Sequence, residues 1–220
     1  MRKRFLCVIM LIAIVCCFTA CDVKTGPVLD SVARSKTYLV LVNKDHEIPK
    51  NWQETVLLFE VENSCGEYMF IEEETNEQFR LLQEELLTKG IQIEVNSAFR
   101  SISEQEVLYN EFAAKYGEEY TKQYLARPGF SEHHTGLAID IMILKQSNIL
   151  RDYEDLLADE EDFATIHELL PKYGFILRYP EGKEEATNHA YEPWHLRYIG
   201  DTEIATKIMN EGITLEEYLK

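Results

Sequence analysis

The segment LAIDIMI, residues 137–143, limits the folds open to this chain more than any other stretch. Read as a strand, it places Leu137, Ile139, Ile141 and Ile143 on one face and Ala138, Asp140 and Met142 on the other. Four aliphatic side chains on one side demand a sheet with that face covered. Asp140, on the reverse face, is costly to bury unless its charge is matched. A metal ion, a salt bridge or a set of buried hydrogen bonds would each serve.

The flanking pattern supplies the rest of the sheet and its cover. YLVLVN (38–43) reads as a short strand, and Glu72 to Lys89 carries Phe79, Leu81, Leu82, Leu86 and Leu87 at helical spacing before Gly90. IQIEVNSAF (91–99) alternates as a strand. Ser103 with Glu106 has capping-box spacing for a helix to about Tyr116, and a second short helix follows over 118–126. A helix is expected over 160–173, strands over FILRY (175–179) and WHLRYI (194–199), and short helical structure at the C-terminus. This order predicts one α+β domain, a small, mainly antiparallel sheet with flanking helices.

Two clusters carry the chemistry. In SEHHTGLAID (131–140), His133 and His134 precede Gly136, where the chain can turn tightly. Adjacent side chains on extended backbone diverge, so one histidine can share the Asp140 side, and residue physics alone does not choose between them. In YEPWHLRYI (191–199), Pro193 argues for a regular strand that begins at Trp194, with His195 and Arg197 on one face. Glu192 lies just outside that alternation and can swing beside His195. Two histidines and a carboxylate form a competent zinc set with a fourth position left for water, and a further glutamate nearby would be the general base.

These residues fit Ser-x-His-x-x-Gly-x-Ala-x-Asp and Glu-x-x-His at every fixed position. Together they resemble the zinc D,D-peptidases of the VanY, VanX and VanXY type and the related cell-wall L,D-carboxypeptidases, over roughly residues 36 to 200. The resemblance implies the zinc D,D-peptidase fold. It implies that His133, Asp140 and His195 bind Zn2+, that Glu192 is the catalytic base, and that His134 is a neighbour outside the ligand set. Arg100, in SAFRS, matches the family arginine that stabilises the oxyanion or holds the substrate carboxylate. Gln105 and Ser131 fall on family pocket positions, and Tyr191 is a further candidate for substrate binding. His46, His167 and His189 have no motif support.

The N-terminus has its own signature. Arg2, Lys3 and Arg4 precede an apolar run and Cys21, the pattern of a secretory signal over residues 1–20. FTAC (18–21) resembles a bacterial lipobox with Phe18 where leucine is usual, which makes Cys21 the lipidation site. Residues 21–36 then read as a lipid-anchored tether and 37–220 as the carboxypeptidase domain. Of five cysteines only Cys65 lies in that domain, so neither an internal disulfide nor a cysteine metal cluster is available. With 22 Lys and Arg against 39 Asp and Glu, the net charge of −17 argues against nucleic acid as a partner.

The expectation is an extracytoplasmic, membrane-anchored zinc carboxypeptidase that removes the C-terminal D-alanine from peptidoglycan stem peptides. An L,D-carboxypeptidase acting on tetrapeptide stems shares every residue named. A non-catalytic, zinc-stabilised wall-binding lipoprotein has no need of Glu192, and a solute-binding lipoprotein explains neither motif.

Overall fold

A computed structural model describes residues 38–144 and 160–220. The signal, Cys21 and the tether lie outside the described residues. The core is a four-stranded sheet of β3 (Ile93–Ser97), β4 (Ala138–Ile143), β5 (Phe175–Tyr179) and β6 (Glu192–Tyr198), ordered β3-β4-β6-β5. Every neighbouring pair is antiparallel. A separate hairpin pairs β1 (Leu58–Glu62) with β2 (Tyr68–Glu72). No element was expected over those residues.

The sheet has two different faces, as the alternation of β4 requires. Leu137, Ile139, Ile141 and Ile143 are buried with Phe79, Leu82 and Leu86 of α1 (Glu73–Thr88) and with Phe163, Ile166 and Leu170. Each fully buried aliphatic side chain contributes about 1.5–3 kcal/mol, so this face anchors the domain. Phe163 and Ile166 belong to α4 (Glu160–Leu169). The reverse face carries Asp140, His195 and Arg197.

The helical hairpin of α2 (Ile102–Tyr116) and α3 (Glu118–Tyr124) stands beside that reverse face. Its inner contacts are few, with Gln105 the buried residue of α2 and Thr121 that of α3. Short α5 (Glu184–Thr187), then α6 (Thr202–Glu211) and α7 (Leu215–Tyr218) complete the fold. Ala205, Ile208 and Leu215 pack with Ile176 and Ile199 in a second apolar cluster.

Several expected boundaries move for identifiable reasons. Residues 38–43 are not a strand, and only Asn43 forms a bridge, to His46. The Tyr38 and Val40 carbonyls, two residues apart as in a ladder, instead accept from Arg197 Nη2 at 2.8 Å each. The capping box at the start of α2 is Ser101 with Glu104, two residues before the pair expected. Helix α4 stops at Leu169 because Pro171 lies in the following 3-10 turn, Leu170–Tyr173. Strand β6 begins at Glu192, not Trp194. Pro193 is tolerated there because the β5–β6 pairing is irregular between Leu177 and Tyr179, and its carbonyl accepts from His167 Nε2 at 2.8 Å.

Candidate active site

SEHHT is not the extended backbone on which the two histidines were expected to diverge, but a 3-10 turn over Glu132–Thr135. With about three residues per turn, successive side chains point in three directions. Glu132 points to a pair of arginines, His133 to Asp140, and His134 to the loop before the turn. His134 is fully buried. Its Nδ1 meets Arg100 O at 2.6 Å, and its Nε2 accepts from Gly129 N at 3.0 Å. It therefore fastens the turn to Arg100 and stays outside the cluster. The turn ends at Gly136, whose φ of +73° favours glycine, and a Cβ there would lie 2.7 Å from Leu58 Cδ2, which would have to move.

Register brings the other members together. Asp140 on β4 is directly opposite His195 on β6. His133, Asp140 and His195 each offer one ligand atom, all within 4.8 Å of one another. His133 Nδ1 is 2.6 Å from Ala98 O, which only accepts, so Nδ1 carries the proton and the Nε2 lone pair faces Asp140 Oδ2 at 3.2 Å. His195 Nδ1 lies 2.8 Å from Asp140 Oδ1. Its Nε2 is 3.5 Å from Glu132 Oε2, and both atoms are buried without a hydrogen bond. That carboxylate selects the His195 tautomer with Nε2–H, which leaves Nδ1 free to bind a cation.

The charges are set by burial and by one another. Burial alone would raise Asp140, but His133 and His195 outweigh it and hold the carboxyl well below its usual range. Burial would lower His195, yet hydrogen bonding and attraction to Asp140 push it up to about 9. A metal taken up at Nδ1 displaces that proton, as metal binding to histidine generally does. Two buried imidazoles and a half-buried carboxylate, converging on one point, match the donor set zinc prefers. Burial pushes Glu192 up to about 8, against the pull of His195 and with the push of Asp140. A cation among the three ligand atoms would cancel the Asp140 charge and bring that value down.

Glu192 was expected outside the strand but opens it, opposite Tyr179. The irregularity there leaves its Oε2 3.9 Å from His195 Nδ1. Arg100 also lines the pocket. Its Nη1 donates to Gln105 Oε1 at 2.7 Å and its Nη2 to Ser97 Oγ at 2.8 Å. Its backbone N donates to His133 O at 3.1 Å, and Gln105 Nε2 donates to Ala126 O at 2.6 Å. The pocket enclosed is about 80 Å³ and includes Arg100, Gln105, Ser131, His133, Glu192 and Trp194. Trp194 also belongs to the apolar core. Tyr191 lines a neighbouring groove and not this pocket.

Three contributors had no sequence signal strong enough to single them out. Glu132, completely desolvated, accepts from Arg178 Nε at 2.8 Å and Arg197 Nη1 at 2.6 Å. Arg178 also holds Glu216 of α7 through two hydrogen bonds of 2.9 and 2.5 Å. The available clue was Arg197 on the His195 face, since a buried guanidinium requires a buried anion. His189, set aside for want of a motif, lines the pocket, stacks on Tyr179 at 4.0 Å and lies 3.8 Å from Glu192 Oε1.

A buried base-strength carboxyl next to a histidine–aspartate–histidine cluster, on the polar face of an antiparallel sheet, marks the chain as a peptidase. Comparison with known proteins gives the class its particular form: the chain belongs to the VanY family, D-alanyl-D-alanine carboxypeptidase, matched over residues 68–201. It is 36% identical over 185 residues to the bifunctional D-Ala-D-Ala dipeptidase and D-Ala-D-Ala carboxypeptidase VanXYC of Enterococcus gallinarum, covering 82% of this chain and 92% of that one. Among solved structures, the vancomycin resistance D,D-pentapeptidase VanY in complex with Zn(II) superposes with TM-score 0.69 at 30% identity, covering 84% of this chain and 99% of that one. The LdcB LD-carboxypeptidase superposes with TM-score 0.72 at 34% identity, covering 85% and 87%.

Proposed function

We propose that this carboxypeptidase is zinc-dependent and removes a terminal D-alanine from peptidoglycan stem peptides. The observation that carries the reading is the pocket: about 80 Å³, lined by a half-buried cation, Arg100, together with Glu192 and the three ligand side chains. It has room for one small residue that ends in a carboxylate. His133 through Nε2, Asp140, and His195 through Nδ1 would hold the zinc. Bound there, zinc supplies Lewis-acid polarisation of the scissile carbonyl and of the attacking water.

The remaining work falls to the protein. Glu192 accepts the proton of the attacking water and passes it to the departing amine, a task suited to a carboxyl tuned toward neutrality. Arg100, tethered by Gln105 and Ser97, offers its remaining N–H groups to the negative charge of the substrate end or of the developing oxyanion. Ser131, buried in the same pocket, presents a hydroxyl to the peptide terminus. Resemblance to relatives that act on D-Ala-D-Ala supports the D,D assignment.

The test is mass spectrometry of pentapeptide and tetrapeptide stems after incubation with zinc-loaded protein. Loss of one alanine from the pentapeptide is expected. Cleavage of the tetrapeptide alone would instead establish an L,D-carboxypeptidase. From residues 1–21 we also propose a lipid anchor at Cys21; membrane fractionation of a Cys21→Ala protein checks it, and unaltered membrane association would reject it. No helix among the described residues is long and apolar enough to cross a membrane.

A further inference from the structure

The loop that delivers Glu192 to the pocket is held by a segment outside both motifs. Asn188, which ends α5, has φ +54° and is the only non-glycine with a positive φ among the described residues. Asparagine tolerates that backbone but does not enforce it, so neighbours must select it. Two consecutive side chains do so. Lys44 Nζ donates to the Asn188 carbonyl, and Asp45 Oδ2 accepts from Asn188 Nδ2 at 3.0 Å. Lys44 also donates to Gln123 O at 3.2 Å, in the last turn of α3, where a helix leaves carbonyls unpaired. One ammonium thus ties the α2–α3 hairpin to the loop before β6.

The grip has a firm base. Asn43 Oδ1 accepts from the backbone N of Asp45 and of His46 at 3.0 and 2.9 Å, and Asn43 Nδ2 donates to Glu216 Oε1 at 3.0 Å. Arg178, which holds Glu132, donates to that same Glu216 oxygen. The turn 43–46 therefore links the buried Glu132 cluster to the loop ahead of Glu192. Little slack remains beyond Asn188. His189 N donates to Thr187 Oγ1 at 3.2 Å, its ring stacks on Tyr179, and its Nδ1 lies 3.8 Å from Glu192 Oε1. Burial pulls the Lys44 ammonium below the usual lysine value, against the attraction of Glu192.

We propose that Lys44 is a positioning residue: by joining Asn188 to Gln123 it fixes the loop that sets Glu192 beside the ligand cluster. The proposal rests on the carboxypeptidase reading and deepens it.

The test uses three variants of the full-length, zinc-loaded protein. Lys44→Met keeps the apolar stem and loses the donors, and Lys44→Arg keeps charge and donors. Lys122→Met is the control, because that ammonium makes an exposed pair with Glu119. On the pentapeptide L-Ala-γ-D-Glu-L-Lys-D-Ala-D-Ala, Lys44→Met should lower kcat about tenfold, a fraction of what a well-placed general base supplies. KM and zinc content should stay as in wild type. Lys44→Arg should recover most of the loss, and Lys122→Met should lose nothing. Hydrogen–deuterium exchange over residues 187–192 should speed up in Lys44→Met alone. A lowered melting temperature with kcat unaltered would make Lys44 a mere brace and overturn the proposal. Unaltered exchange over 187–192, no recovery in Lys44→Arg, or an equal loss in Lys122→Met would overturn it too. Wild-type protein that hydrolyses no stem peptide sinks the carboxypeptidase reading instead, and the exchange data then decide the grip on the loop by themselves.

Discussion

The two walls of the pocket are built in opposite ways. The sheet wall, with His133, Asp140, His195 and Glu192, is buried and rests on the Glu132–Arg178–Arg197 cluster, whose side chains are completely desolvated. The helical wall of α2 and α3 is largely exposed and reaches the site through Arg100, Gln105 and Ala126. Tyr116 and Tyr120 on that wall are each 45% exposed. The groups that must keep sub-ångström geometry sit where packing fixes them. Those that must meet a variable ligand sit on an element held by a few polar contacts.

Four measurements would break or sharpen this contrast. The largest effect is expected from Glu192→Gln, which should cut hydrolysis by as much as about ten-thousandfold, the upper range for a general base, while zinc content and melting temperature stay unchanged. Unchanged turnover would remove Glu192 from the mechanism. Next, Glu132→Ala should lower unfolding free energy by about 3–5 kcal/mol, because it leaves two arginines buried without their shared anion. Chemical denaturation reads it, and a loss below 1 kcal/mol would deny the sheet wall its special rigidity.

On the helical wall, Gln105→Ala should raise KM several-fold at little cost to kcat or zinc content, with a stability loss of about 1–2 kcal/mol from two lost hydrogen bonds. A fall in zinc content would mean that the two walls are not independent. The smallest effect concerns acid. Burial would raise Glu216, but Arg178 outweighs it and holds the carboxyl below its usual value. Its folded pKa is depressed, so its stabilisation is complete above the unfolded value of about 4.3 and fades as pH falls through the folded one. Denaturation midpoints of wild type and Glu216→Gln should differ at pH 7 and begin to converge as pH falls below about 4.3, the unfolded value. A constant difference across that range would contradict the ion pair.

The parts of the molecule governed by local repetition were legible in the sequence. Alternation in LAIDIMI predicted which face of β4 is core, and spacing placed α1, α2 and β5 nearly to the residue. The four residues proposed as metal ligands and base were named from two motifs, and all of them line one pocket. What stayed hidden depends on partners distant in the chain. Tyr38 and Val40 look like strand residues until Arg197, 159 positions from Tyr38, takes their carbonyls. Glu132 looks like an arbitrary motif position until two desolvated arginines converge on it. Residue physics does not distinguish His133 from His134 either, and only the family pattern did, because the 3-10 turn that separates them depends on contacts to Arg100 and Gly129.

Arg178 grips Glu216, four positions before Lys220, while Arg197 grips the carbonyls at 38 and 40. The catalytic sheet is thereby clasped by both extremities of the described domain. Trimming the last helical turn, or fusing a bulky tag against it, would disturb a guanidinium that steadies Glu132 and, through it, His195. Expression designs that treat the tail as dispensable should therefore yield protein that folds but in which His195 is less firmly held, with weaker uptake of the proposed zinc.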